Sequence, residues 1–134
     1  MPPRKRECPE ISGLAEPRFS SGQAANFDEG VRRFNAGLFW HAHESWEAAW
    51  LPMGDGPEDD AEIFIRALIQ VASGIHLKRK GRHSGARSHF FKAGEKLDVV
   101  PDVFMGIDVV ALRVFTRYQL ERFDEDFSFF LRRS

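Results

Sequence analysis

The chain has 134 residues, a normal length for one domain and long enough to bury a core without a disulfide or metal staple. Its 19 basic and 20 acidic side chains leave a net charge of −1, which gives no electrostatic case for nucleic acid as a partner. No stretch approaches the roughly 20 uninterrupted apolar residues of a membrane helix, the basic N-terminus is not followed by the apolar core of a secretory signal, and the lone Cys8 cannot form an internal disulfide. A cytoplasmic protein with no membrane or nucleic-acid partner is therefore expected.

Residues 1–22 carry several prolines and no helical period, so they are expected to form a flexible or surface-draped leader to one helical domain over 23–134. The first helix is expected to start at Asn26, where Asn26 and Glu29 have the spacing of a capping box. Phe27, Val31, Phe34 and Leu38 then mark one helical face, and Gly37 supplies the break. A second helix runs from about Leu38 to Leu51 and stops at Pro52. Asp59 or Asp60 caps a long third helix that is apolar on nearly every side and so belongs at the centre of the fold. The basic run Lys78, Arg79, Lys80, Arg82 suits the negative end of that helix, and Gly81 ends it. Ser84 is placed to cap a fourth helix that closes before Pro101. Asp108 is placed to cap a fifth, carrying Leu112, Phe115, Tyr118, Gln119 and Phe123. No segment reads as a strand. The aromatic and basic end, Phe127 to Ser134, can fold back on the bundle or meet a second subunit.

A pattern repeats at a distance of 44 residues. Gly37 is followed by Ala42, Trp46 and Ala49; Gly81 is followed at the same offsets by Ala86, Phe90 and Ala93. A glycine ends one helix, a small residue lets the next approach, and an aromatic ring fills the groove. This is the logic of stacked helical hairpins of the tetratricopeptide kind. The expected fold is all-α, about five helices: two antiparallel hairpins, with a C-terminal helix covering an open side.

The second helix concentrates the chemistry. Phe39, His43, Trp46 and Trp50 form one stripe, with Trp40, Glu44, Glu47 and Leu51 on the adjoining one. In helix three, Arg66, Gln70 and Ser73 make a polar line that His76 extends. Ionisable groups at the edge of an apolar stripe need partners. One reading is a structural network in which Glu44 or Glu47 pairs with Arg66 while His43 and His76 fill the rest. A second is a divalent-metal site of His43, Glu44, Glu47 and His76, although His41 and His43 face different ways and the HExxH spacing is absent. A third is acid–base catalysis or an organic-ligand pocket that uses His43, Glu44 and Glu47 between tryptophan walls. His83 and His89 are expected to be exposed and uninvolved, and Cys8 inert. Whether the domain is an enzyme stays open. The leading expectation is a non-enzymatic module that binds a protein partner or itself as a homodimer, with a buried His/Glu/Arg/Gln network; a metal-binding protein or metal-dependent hydrolase is the alternative. A binding role would show as an exposed aromatic patch, with Phe127, Phe129 and Phe130 as candidates.

Phe34-Asn35-x-Gly37, then His43-Glu44-x-Trp46-Glu47-x-x-Trp50, Ala67-Leu68-Ile69-Gln70-x-Ala72, His76, Gly81 and Gly85-Ala86, and Gly106-Ile107-Asp108 together resemble the small helical family known as domain of unknown function 309. The similarity spans about residues 24–112. It implies an all-helical fold with no established activity, and its polar signature positions fall on Asn35, His43, Glu44, Glu47, Gln70 and His76. Arg82 and His83 depart from the Gly-Asn-Tyr-like turn the family often has.

Overall fold

A computed structural model describes residues 21–50, 60–125 and 129–132. Residues 1–20, Leu51, Pro52, Asp59, Phe127 and the side chain of Trp50 lie outside the described residues. Five helices and one short hairpin follow in order: α1 (Ser21–Asn35), α2 (Phe39–Trp50), α3 (Asp60–Arg79), α4 (His83–Leu97), β1 (Val103–Phe104), β2 (Ile107–Asp108) and α5 (Val109–Glu121). α1 packs on α2 and α3 on α4, α2 and α3 join the two hairpins, and α5 lies against α4. The expected all-helical pairing is what forms.

Both hairpins turn in the same way. At the first, the Leu38 N–H donates to the Arg33 carbonyl and the Gly37 N–H to the Phe34 carbonyl; at the second, Arg82 donates to Leu77 and Gly81 to Lys78. This is the Schellman arrangement, and it needs a residue in the left-handed region, which Gly37 (φ 80°) and Gly81 (φ 77°) supply. The repeat therefore extends from sequence into hydrogen bonding. It also extends backward to a pair of glycines not singled out in the sequence. A Cβ built on Gly30 would collide with the Trp46 indole, and one built on Gly74 would stand 2.9 Å from the Phe90 ring. Gly30 and Gly74 are again 44 residues apart. In each hairpin the aromatic of the second helix packs against a backbone that only glycine leaves bare.

α3 is the buried centre. Ile63, Phe64, Ile65, Ala67, Leu68, Val71 and Ala72 are all buried, as the near-continuous apolar sequence implies. Its neighbours contribute Phe34, Trp46, Phe90 and Leu97, each almost fully enclosed.

Four local expectations are corrected. α1 begins at Ser21 rather than Asn26, and the Gln23 amide reaches across to the Ala49 carbonyl at 3.3 Å. Glu29 forms no capping box, because Arg32 and Arg33, one turn on, both take its carboxylate. The hydrogen bonds from these two guanidiniums hold the Glu29 carboxyl below the ordinary range. α4 begins at His83, with Arg82 at the cap position and no side-chain cap, so Ser84 lies inside the first turn. The link between α3 and α4 is too short to place Ser84 outside the helix. Finally, a strand pair does exist. Val103 pairs with Asp108 and Phe104 with Ile107 across Met105 and Gly106, both at positive φ. Two residues per strand are too few to show an alternating period. Asp108 closes this hairpin and, as expected, caps α5 by accepting from the Ala111 N–H at 3.1 Å.

The chain end returns to the bundle. The Leu131 N–H donates to Asn35 Oδ1 at 2.7 Å, and Asn35 Nδ2 donates to the Leu131 carbonyl at 3.2 Å. Phe129 stacks on Phe115 with ring centroids 4.5 Å apart, and the Asp108 N–H donates to the Arg132 carbonyl. Residues 129–132 thus strap α1 to α5.

Candidate functional site

Of the polar residues singled out in α2 and α3, His43 and His76 meet across the two helices on the Trp40 ring, and α4 reaches Gln70. Trp40 and His43 lie one turn apart on α2, and their rings stack at 4.8 Å with 23° between planes. His76 from α3 also meets the indole, tilted by 38° with ring centroids 5.3 Å apart. Glu47 Oε2 stands 3.6 Å from His43 Nε2. From α4, Lys96 Nζ donates to Gln70 Oε1 at 3.0 Å. His89, on the same helix, is near enough for the charges of His43, Lys92 and Lys96 to act on its ring. α2, α3 and α4 thus each place a histidine in this region.

The face is more open than a buried network. Glu44 and Glu47 are 54% and 43% exposed, and Glu44 turns outward to His41, 3.5 Å away. Among the described residues neither is paired with Arg66. Arg66 pairs instead with Glu62, 3.2 Å away and only 2% exposed. The two are one turn apart on α3, so the pair forms without spanning two helices. Among the described residues no group of three or more His, Cys, Asp or Glu side chains is arranged to hold a metal ion. His43, Glu44, Glu47 and His76 do not converge, since Glu44 occupies the outer side of α2. Trp46 and Asn35 belong to the framework. The Trp46 indole N–H donates to the Phe27 carbonyl at 3.2 Å in the core, and Asn35 holds the C-terminal strap.

His89 is the residue that sequence reasoning set aside. It is half-buried, and its Nδ1, like that of His43, has no hydrogen-bond partner among the described residues. The internal repeat held a signal for it. His89 stands eight residues after Gly81, and the matching position after Gly37 is Ser45, which is buried.

Burial pulls the imidazoles of His76 and His89 below the ordinary histidine range. For His76 the charges of Lys80, His43 and Arg79 add to this, and for His89 those of Lys92, His43 and Lys96. Both groups thus bind protons less readily in the folded chain than in the unfolded one, whose histidines titrate near pH 6.5. The stability this contributes is complete above that value and is lost as pH falls below it. The thermal midpoint is expected to drop between about pH 7.5 and about pH 5.5, and to drop less in a His89→Gln variant. An identical acid profile in the two proteins would remove His89 from this account.

Fold and site together define an all-helical protein of two stacked hairpins, with a histidine-bearing face across three of its helices. The model of the family described as a domain of unknown function (DUF309) matches residues 27–89, which bears out the resemblance read from the sequence. The matched span holds both hairpin turns and all three histidines of the face; α5 and the strap lie beyond it. A search of the curated proteins finds no match. Among the described residues no helix is long and apolar enough to cross a membrane.

Proposed function

We propose that this domain is a non-enzymatic binding module that associates with a second copy of itself through the outer face of α2. The observation that carries the reading is Trp40. Two imidazoles brace its indole, yet 47% of its surface is left to solvent, next to Leu38 at 48%. A large ring held in one orientation loses little side-chain entropy on contact, which is why tryptophan anchors so many interfaces.

The stripe around it is self-complementary. Two copies of α2 laid antiparallel about Glu44 set Trp40 of one against Ala48 of the other, a large ring over a small exposed residue. The same pairing sets His41 against Glu47, an imidazole against a carboxylate. Glu44 meets its own copy, each with His41 of its own chain 3.5 Å from the carboxylate. A contact built mainly from one 12-residue helix is small, so association in roughly the micromolar range is expected.

Sedimentation velocity over a wide concentration range tests this. The wild-type chain should shift from monomer to dimer as concentration rises, while Trp40→Glu stays monomeric with an unchanged circular dichroism spectrum. A wild-type chain that sediments as a monomer throughout refutes self-association.

A further inference from the structure

We propose that the cavity beneath the C-terminal strap is a binding site for a small organic anion with a flat aromatic body. The cavity lies between the α1–α2 turn, the C-terminal end of α3, α5 and the strap, and its lining includes none of the three histidines of the face. Its volume is about 670 Å³, within the roughly 300–1,000 Å³ of small-molecule sites. Phe39, Phe115, Phe123, Phe129 and Phe130 contribute to its wall. Flat rings of this kind stack on aromatic ligands.

The polar groups set the sign of the ligand. Lys78, Arg79 and His83 all line the cavity, and among the described residues the one acid there is Asp124. Arg79 carries the argument. Its guanidinium lies 4.6 Å over the Phe39 ring and donates one hydrogen bond, 3.2 Å, to the Gly37 carbonyl. Neither partner is a carboxylate, and no ion pair to Arg79 is found among the described residues. A neutral carbonyl and a π face fix the group in place without cancelling its charge. The remaining donors of its planar fork match a carboxylate or sulfonate. A cation fixed at the rim of an aromatic cavity is the arrangement that takes an anionic head and an aromatic body together.

The test uses the full chain and two fluorescent probes of similar shape, anionic 8-anilinonaphthalene-1-sulfonate and neutral N-phenyl-1-naphthylamine. The anionic probe is expected to bind saturably at one site and about tenfold more tightly than the neutral one. Amide shifts on binding should centre on Gly37, Arg79 and Phe130. Arg79→Gln should abolish the preference for the anion, and Phe130→Ala should weaken both probes. Both side chains are exposed, so neither change removes core packing. Equal affinity for the two probes, a preference that survives Arg79→Gln, or shifts centred elsewhere would each overturn the proposal. None of these outcomes bears on self-association through Trp40, which sedimentation reads separately.

Discussion

Replacing Gly30 with alanine is expected to destabilise the fold by about 3 kcal/mol, a loss on the order of 10 °C in thermal midpoint. The new methyl would coincide with the Trp46 ring at Nε1, Cδ1 and Cε2. The indole has nowhere to go. It is fully buried, its N–H is bonded to the Phe27 carbonyl, and Phe34 packs on it with ring centroids 5.9 Å apart. The two helices must therefore separate, which opens the first hairpin and breaks that hydrogen bond. Two other glycines serve as internal controls. Gly74→Ala brings its methyl to 2.9 Å from Phe90, a lesser overlap, and should cost less. At Gly94 the nearest atom would be a Thr116 methyl at 3.8 Å, an ordinary contact, so Gly94→Ala should be neutral or stabilise by up to about 1 kcal/mol through helix propensity. Denaturant unfolding of the three variants gives the ranking. A Gly30→Ala protein as stable as the wild type would mean that the hairpin does not pack this closely.

Asn35→Ala is expected to release the C-terminal strap at a cost of about 2 kcal/mol. One side chain satisfies both the N–H and the carbonyl of Leu131, a residue 96 positions away whose side chain is buried. Alanine leaves both backbone groups without their partner and takes away the link that sets Phe129 over Phe115. Hydrogen exchange locates the loss. The Leu131 amide should exchange much faster, and the Asp108 amide, which donates to Arg132, should follow. Amides in the middle of α3 should keep their protection relative to the global stability. Unchanged exchange at Leu131 would show that the phenylalanine contacts hold the strap without Asn35.

Much of the architecture was legible because it rests on spacing. The apolar run of α3, the breaks at Gly37 and Gly81, and the small-then-aromatic order of Ala42 and Trp46, repeated in Ala86 and Phe90, each state a local requirement that one stretch of chain can carry. The candidate face was legible in part for the same reason. His43, Glu47, Gln70 and His76 stood out as polar groups on apolar helices, and the structure brings His43, Glu47 and His76 together around or beside Trp40.

What the sequence alone determined is the helical class, the hairpin turns, the central place of α3 and the family that residues 27–89 resemble. Tertiary structure decided which polar groups meet. Spacing along α2 placed Glu44 and Glu47 equally well for Arg66, but Glu62 was one turn away on the same helix and needed no alignment of two helices to reach it. His89 entered the face only because α4 lies beside α3 at that height. The roles of Gly30 and Asn35 were likewise decided by packing. A glycine is silent in sequence until a ring lies on it, and an asparagine says nothing of a partner 96 residues away. Helix periodicity is written in neighbouring residues, whereas pairing depends on distances that exist only after the helices have packed.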